Sequence, residues 1–289
     1  MAKQRLSFYA WPWFVLGLLV VGGLLATLGL TQDPYTQDFM ARNQGPSAEH
    51  WFGTDQFGRD LLARIMSGAW LTLSVAALAT LAALASGAGV ALLACRVGGW
   101  FRSSVFTVFD LLRTLPAILV GLTIMTAAGA GTVTVILAIG LTFAPLFAYI
   151  TSAAYDRERV AGYAIAARLM GGSATWVTWR HMLPNITGAL ITQTAIVMPR
   201  AITTESVLSF LGVGVAPDIP TWGRIIAAAS EYAEQAPLGL ALPVVLLAGT
   251  TLTFSVIGQR LRQMGREGGR DHLFDPRSMT APQRQGVRS

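Results

Sequence analysis

Long apolar runs separated by short polar interruptions set the pattern of this chain. Residues 11–30, 69–94, 105–127, 132–153, 186–208 and 238–257 are each predominantly apolar. A helix needs about 20 such positions to cross a hydrocarbon core, so six transmembrane helices are predicted. The first run carries Trp11 and Trp13 where an interfacial aromatic belt would place them. A cleaved signal peptide is the rival reading of that run. Its apolar part exceeds an h-region of about 7–15 residues and no small-x-small site follows, so a retained span is expected. The second run is rich in Ala and Gly, which let helix backbones approach closely inside a bundle.

Three polar excursions interrupt these runs. Residues 31–68 are acidic and contain HWFGTDQFGRDLLAR; two glycines flanking a polar turn predict an ordered loop leading into a short amphipathic helix. Neither Asp55 nor Asp60 has a base or nucleophile beside it in a recognisable arrangement. Residues 209–236 are broken by Gly212, Gly214, Pro217, Pro220 and Gly223. Their apolar piece, 225–229, is too short to cross, so a loop that dips toward or lies on the membrane is expected. Residues 157–185, RERVAGYAIAARLMGGSATWVTWRHMLPN, carry four arginines and an Ala-rich helical run ended by Gly171-Gly172. A second short segment is expected to stop at Pro184. A polar helix–turn–helix between spans reads as a surface offered to a cytosolic partner. The resulting division is an N-terminal anchor with its external segment (1–68), a five-helix core with a cytosolic loop at 155–185 (69–258), and a basic tail (259–289).

Composition agrees with the pattern. The chain is 53% hydrophobic and 12% charged, against about 25% charged in soluble domains. The formal charge of +6 reflects topology rather than nucleic acid. With the N-terminus inside, the inner segments hold Lys3, Arg5, Arg96, Arg102, the four insert arginines and seven tail arginines against five acids; the outer segments hold four arginines against eight acids. The positive-inside rule then makes both termini and the insert cytosolic. Cys95 is the single cysteine, and His50, His181 and His272 show no ligand spacing. An intrachain disulfide is excluded and no metal site is expected.

Asp110, Arg113, Arg200 and Glu205 fall within the predicted spans. Each costs about 2.5–3.5 kcal/mol at a helix centre on the insertion scale, so none is expected to face lipid. Asp110 and Arg113, three apart on one helical face, are expected to pair. Arg200 and Glu205 are five apart and reach each other less well, which points at least one toward a water-filled path or another subunit. Either all four line a solute path, or they pair within the bundle. Pro116, Pro145, Pro199 and Pro243 also sit inside spans and can kink them.

No phosphate-cradling G-x-x-x-x-G-K-[ST] occurs, and Lys3 is the only lysine. G-x-S-x-G, H-E-x-x-H and C-x-x-C are also absent. An enzyme is therefore not expected, and any ATP-driven step must use another chain.

The insert resembles the cytoplasmic motif of permease subunits in bacterial ATP-binding-cassette (ABC) importers, EAA-x3-G-x9-I-x-L-P. The matching residues are Ile165-Ala166-Ala167, Gly171 and His181-Met182-Leu183-Pro184. Ile165 stands where Glu is frequent, and His181 where Ile is. HWFGTDQFGRDLLAR, FDLLRTLPAIL, ESVLSFLGVGVAPDIPTWG and the looser IGQRLRQ…FDPR narrow the similarity to the "C" permease of the dipeptide/oligopeptide/nickel branch. The resemblance implies an all-α type I importer permease fold with six transmembrane helices in the bacterial inner membrane. It implies ATPase coupling through Gly162, Ile165, Ala166, Ala167, Arg168, Gly171, Leu183 and Pro184. It also implies a second homologous permease, two ATPase subunits holding ATP and Mg, and an extracytoplasmic binding protein meeting 31–68 and 209–236. The chain itself would hold no cofactor or metal. Peptides, nickel or metal chelates are the implied solutes. An ion-coupled carrier acting alone is the alternative; it would use Glu205, but no internal repeat is visible and the insert would have no purpose.

Overall fold

The computed structural model describes residues 17, 21–23, 32–216 and 218–271, with side chains to residue 263. Residues 17 and 21–23 are helical; the rest of the expected span at 11–30, and the tail beyond 271, lie outside the described residues. Among the described residues all regular structure is helical, apart from one isolated bridge between Thr54 and Asp60.

The first long helix, α1 (Leu61–Val97), starts where Asp60 accepts the Ala63 N–H at 2.7 Å. The short amphipathic helix expected after Asp60 is thus the first part of α1, not a separate element. Its apolar side, Leu61, Ile65 and Ala69, is buried against Trp222 and Ile225, and that packing carries the helix through Gly68. α1 ends at Gly98, whose φ of 71° suits glycine.

The third predicted span is not one helix. It is α2 (Gly99–Thr114) and α3 (Ala117–Ala128), bent by 98° at Leu115-Pro116. Pro116 drives the preceding Leu115 out of the helical region, to φ −85° and ψ 134°. Pro145, Pro199 and Pro243 interrupt no helix: α4 (Thr132–Arg159) and the helices below run through them.

α1 and α4 form the centre of the bundle through a seam of small residues. A Cβ on Gly87 would lie 2.1 Å from the Ala144 carbonyl oxygen, and one on Gly140 would lie 2.9 Å from Ala82 Cβ. Ala79, Ala83 and Ala91 of α1 are completely buried. Close backbone approach therefore replaces large side chains as the packing device, as membrane bundles require.

After α4 come α5 (Gly162–Leu169), α6 (Ala174–Val177), a π-helical turn (Thr178–Met182) and α7 (Leu183–Phe210). The segment expected to stop at Pro184 does not stop. It leads directly into α7, because proline in a first helical turn removes an N–H that has no partner there anyway. α8 (Trp222–Ser230) lies across the far end, and α9 (Pro237–Asp271) completes the bundle against α7 and α8.

α1, α4 and residues 237–263 of α9 are long and apolar enough to span a membrane, with mean hydropathies of 2.0, 2.2 and 2.1; the bent α2–α3 pair makes a fourth candidate. α7 has 28 residues, about 42 Å at 1.5 Å per residue, but threonines dilute its apolar character. Thr187, Thr192, Thr194 and Thr203 each donate to the carbonyl four residues earlier, at 2.9–3.0 Å. The hydroxyl protons are therefore satisfied without a partner helix.

Candidate functional site

The insert is assembled at the C-terminal end of α4. In α5, Ala164 and Ala167 turn inward and join Val177, Met182 and Ile186 in the main core. The rest of the helix faces out: Ile165 is 47% exposed, and Leu169 and Met170, where α5 ends, are 84% and 82% exposed. Ala166 and Arg168 are exposed as well. The paired alanines of the motif thus divide their work, Ala167 anchoring and Ala166 presenting.

Gly171 has φ 88°, a left-handed conformation that terminates α5, and the Gly172 N–H closes back on the Ala167 carbonyl at 2.9 Å. Gly162 has open space where a Cβ would be. Leu183 is half-buried and Pro184 exposed in the first turn of α7. His181, at the position of the motif isoleucine, places its ring 4.7 Å from that of Trp176 and 6.5 Å from that of Tyr163.

A polar network that sequence reasoning missed ties the insert to the bundle. The Tyr163 hydroxyl donates to Glu158 Oε2 at 2.5 Å, Arg157 pairs with Glu158 Oε1 at 2.9 Å, and Asn185 Nδ2 donates to the Tyr163 oxygen at 2.9 Å. Glu158 is buried although it sits among arginines. Burial, then the bond to Glu158, raises the Tyr163 phenol pKa, so the hydroxyl stays protonated as a donor. One acid inside an R-E-R run was the available signal. The basic turn after α1 lies at this same end, where Arg102 pairs with Asp156 at 2.6 Å and donates to Ser152 at 2.7 Å.

The opposite end is a cap built from the other two excursions. Gly53 and Gly58 make the expected ordered loop; a Cβ on Gly58 would fall 1.6 Å from the Asp38 carbonyl oxygen, and its φ is 73°. Asp55 accepts from Arg59 at 2.7 Å and Arg64 at 3.3 Å, and Asp60 meets His50 at 3.0 Å. The Trp222 indole N–H donates to the Ile65 carbonyl at 3.1 Å, and Asn43 reaches Gln235 at 3.3 Å. Residues 32–60 and 209–236 therefore form one surface.

The four intramembrane charges occupy three settings. Asp110 and Arg113 do not pair directly as expected. Tyr149 of α4 lies between them, donating to Asp110 at 2.5 Å while the Arg113 guanidinium stacks 4.9 Å from its ring. Glu205 is completely buried and accepts from Ser209 at 2.7 Å and from Ser206 at 3.4 Å, with Thr72 of α1 beside it. The Thr72 oxygen accepts the Trp222 backbone N–H at 3.2 Å, so Glu205 lies where α7, α1 and α8 meet. Arg200 is exposed, in a cleft between α7 and α9. The sequence distinguishes only the two pairs; the fold also separates Arg200 from Glu205, because they leave α7 on different faces.

Residues 84–264 match the family described as binding-protein-dependent transport system inner membrane component. The dipeptide transport system permease protein DppC of Alkalihalophilus pseudofirmus is 31% identical over 253 residues, covering 86% of this chain and 83% of that protein. A probable peptide ABC transporter permease of Sinorhizobium fredii is 35% identical over 264 residues, with 91% and 87% covered. The glutathione transport system permease GsiD of Pectobacterium atrosepticum is 29% identical over 225 residues, with 78% and 75% covered. In fold, the chain is similar to an inward-facing MetNI methionine ABC transporter at TM-score 0.57 and 18% identity, over 69% of this chain and 95% of that one. The chain belongs to the binding-protein-dependent transport system inner membrane component family and is a multi-pass permease of an ABC importer.

Proposed function

We propose that the chain is one of two permease subunits of a peptide importer in the bacterial cytoplasmic membrane, with six spans and both termini cytosolic. Two ATPase subunits, which hold ATP and Mg, dock on the insert, and an extracytoplasmic binding protein docks on the cap. Peptide is the solute named for several relatives of similar length and sequence. The observation that carries the reading is the outward face of α5: Ile165, Ala166, Leu169 and Met170 are exposed together, while Ala164 and Ala167 fix the helix from behind. An eight-residue helix has little stability of its own, and this one leaves half its apolar surface for another chain. The charge distribution supports the orientation, since the insert and the basic turn share one end.

Coupling follows from the geometry. Movement of an ATPase displaces α5; the Glu158–Tyr163–Asn185 network carries it to the end of α4 and the start of α7. These two helices pack on α1 and on each other, so the displacement reaches the bundle core. The test is cross-linking in the assembled importer from Leu169→Cys, with the buried Cys95 replaced by Ser. An adduct to an ATPase subunit that changes with nucleotide state is expected. Normal uptake without an adduct in any nucleotide state would refute the reading.

A further inference from the structure

The bundle has a polar feature that docking at its two ends does not use. A cleft of about 590 Å³ opens between α7 and α9, with Phe143 of α4 contributing to its wall. Arg200 lines it from α7, and Ser255, Gln259 and Arg262 from α9. The last three are spaced four and three residues apart, which puts them on one face of α9. Among the described residues no acidic side chain lines the cleft. Glu205, the nearest acid along α7, is completely buried and is held by Ser206 and Ser209, with Thr72 of α1 beside it. It therefore does not neutralise Arg200. Of the wall's threonine hydroxyls, Thr203 and Thr251 spend their protons on Pro199 and Leu247 carbonyls at 3.0 and 2.8 Å. Among the described residues, the two guanidinium groups, Ser255, Thr204 and the Gln259 amide line the cleft as donors.

Arg200 lies in the interior of a 28-residue helix, not near an end where it could reach a membrane surface. A guanidinium at such depth is costly unless it meets water or an anion. The neighbouring positive charge of Arg262 adds to the requirement for an anion. Planar, forked donors match a carboxylate in particular. We infer that this cleft is a carboxylate station on the solute path, where Arg200 and Arg262 receive an acidic group of the passing solute. The inference rests on the reading of the chain as a peptide importer permease, because every linear peptide with a free C-terminus brings such a group.

The experiment reads the cleft without requiring the natural solute. The importer, assembled with its partner chains in lipid nanodiscs, carries Ser255→Cys in a Cys95→Ser background. Modification of residue 255 by an anionic and by a cationic methanethiosulfonate is followed by mass spectrometry of this chain. The anionic reagent is expected to be favoured, and Arg200→Gln to lower the anion-to-cation rate ratio about tenfold, the low end of what a focusing cleft supplies. Sodium propionate should slow modification more than chloride at equal ionic strength, and propionamide should not slow it. Arg200→Lys should keep the rate ratio but lose the preference for propionate over chloride. A ratio unmoved by both Arg200→Gln and Arg262→Gln would overturn the inference. So would a cysteine unreactive to both reagents with and without ATP, which would mean that the partner permease fills the cleft. Failure of the importer reading would show separately, as loss of the ATPase adduct at position 169 with this ratio unaffected.

Discussion

The cap and the insert are both polar excursions built around a short helix, yet they are finished to different degrees. In the cap, α8 has nine residues, and its Trp222 and Ile225 are buried against α1. Backbone and indole N–H groups of Trp222 both find partners on α1, and Asp55 holds two arginines nearby. In the insert, α5 has eight residues and buries only Ala164 and Ala167. Helices this short depend on packing for their stability. The cap obtains that packing from its own chain, whereas the insert leaves the outer face of α5 exposed. Large exposed apolar residues of the cap, Met40 and Trp51 among them, belong to its loops and not to α8. On the proposed function, the difference separates an element that completes the fold from one that transmits through it.

Substitutions in the cap should therefore act on stability, and substitutions on the outer face of the insert on coupling alone. The largest effect is expected from Trp222→Ala. It empties a fully buried indole site and removes the N–H that donates to the Ile65 carbonyl. The cost should be about 3–5 kcal/mol, read as a lowered unfolding temperature and loss of extractable importer. Trp222→Phe should recover most of the loss. Asp60→Ala comes next: it removes the cap of α1 and the partner of His50, at about 1–2 kcal/mol. If either change left stability intact while abolishing uptake, the cap would be a moving part and the comparison would fail.

Tyr163→Phe lies between the two classes. It removes the hydroxyl that joins Glu158 to Asn185, at about 1 kcal/mol for the lost bond. Because that bond connects α5 to both α4 and α7, nucleotide-driven uptake should fall more than stability does. Equal losses in both would show that the network holds the insert together without transmitting through it.

The sequence disclosed the periodic and compositional part of this architecture and concealed the part set by contacts. The apolar runs located α1, α4, α7 and α9, and Gly171 ended α5 where its left-handed φ requires glycine. The union of segments 32–60 and 209–236 into one cap was anticipated only as two candidate surfaces for one partner. The 98° break at Pro116 was open to a proline argument, but Pro145, Pro199 and Pro243 carry the same local signal inside unbroken helices. Helix packing, invisible in the sequence, decides between them. The role of Glu158 was masked because charge counting treats every acid in an inner loop alike. Likewise, Arg200 and Glu205 are near neighbours in sequence, yet one lines a cleft and the other is sealed between helices.

The smallest expected stability effect gives the most demanding test of the comparison. Ile165 is 47% exposed and lies on the face of α5 opposite the anchoring alanines. Ile165→Ala removes apolar surface already in water, and alanine is the better helix former. The folded permease should keep its unfolding temperature, within about ±0.5 kcal/mol in stability. An apolar side chain seated in a partner groove is different, since about 25 cal/mol is lost for each Å² of apolar surface no longer buried there. ATPase activity stimulated by the binding protein, and uptake with it, should then fall several-fold while the subunits still assemble at high protein concentration. Raising the ATPase concentration should restore part of the activity, because a weakened contact responds to mass action. If stability fell and activity followed only in proportion, Ile165 would be an internal packing residue, and the insert would be as self-contained as the cap.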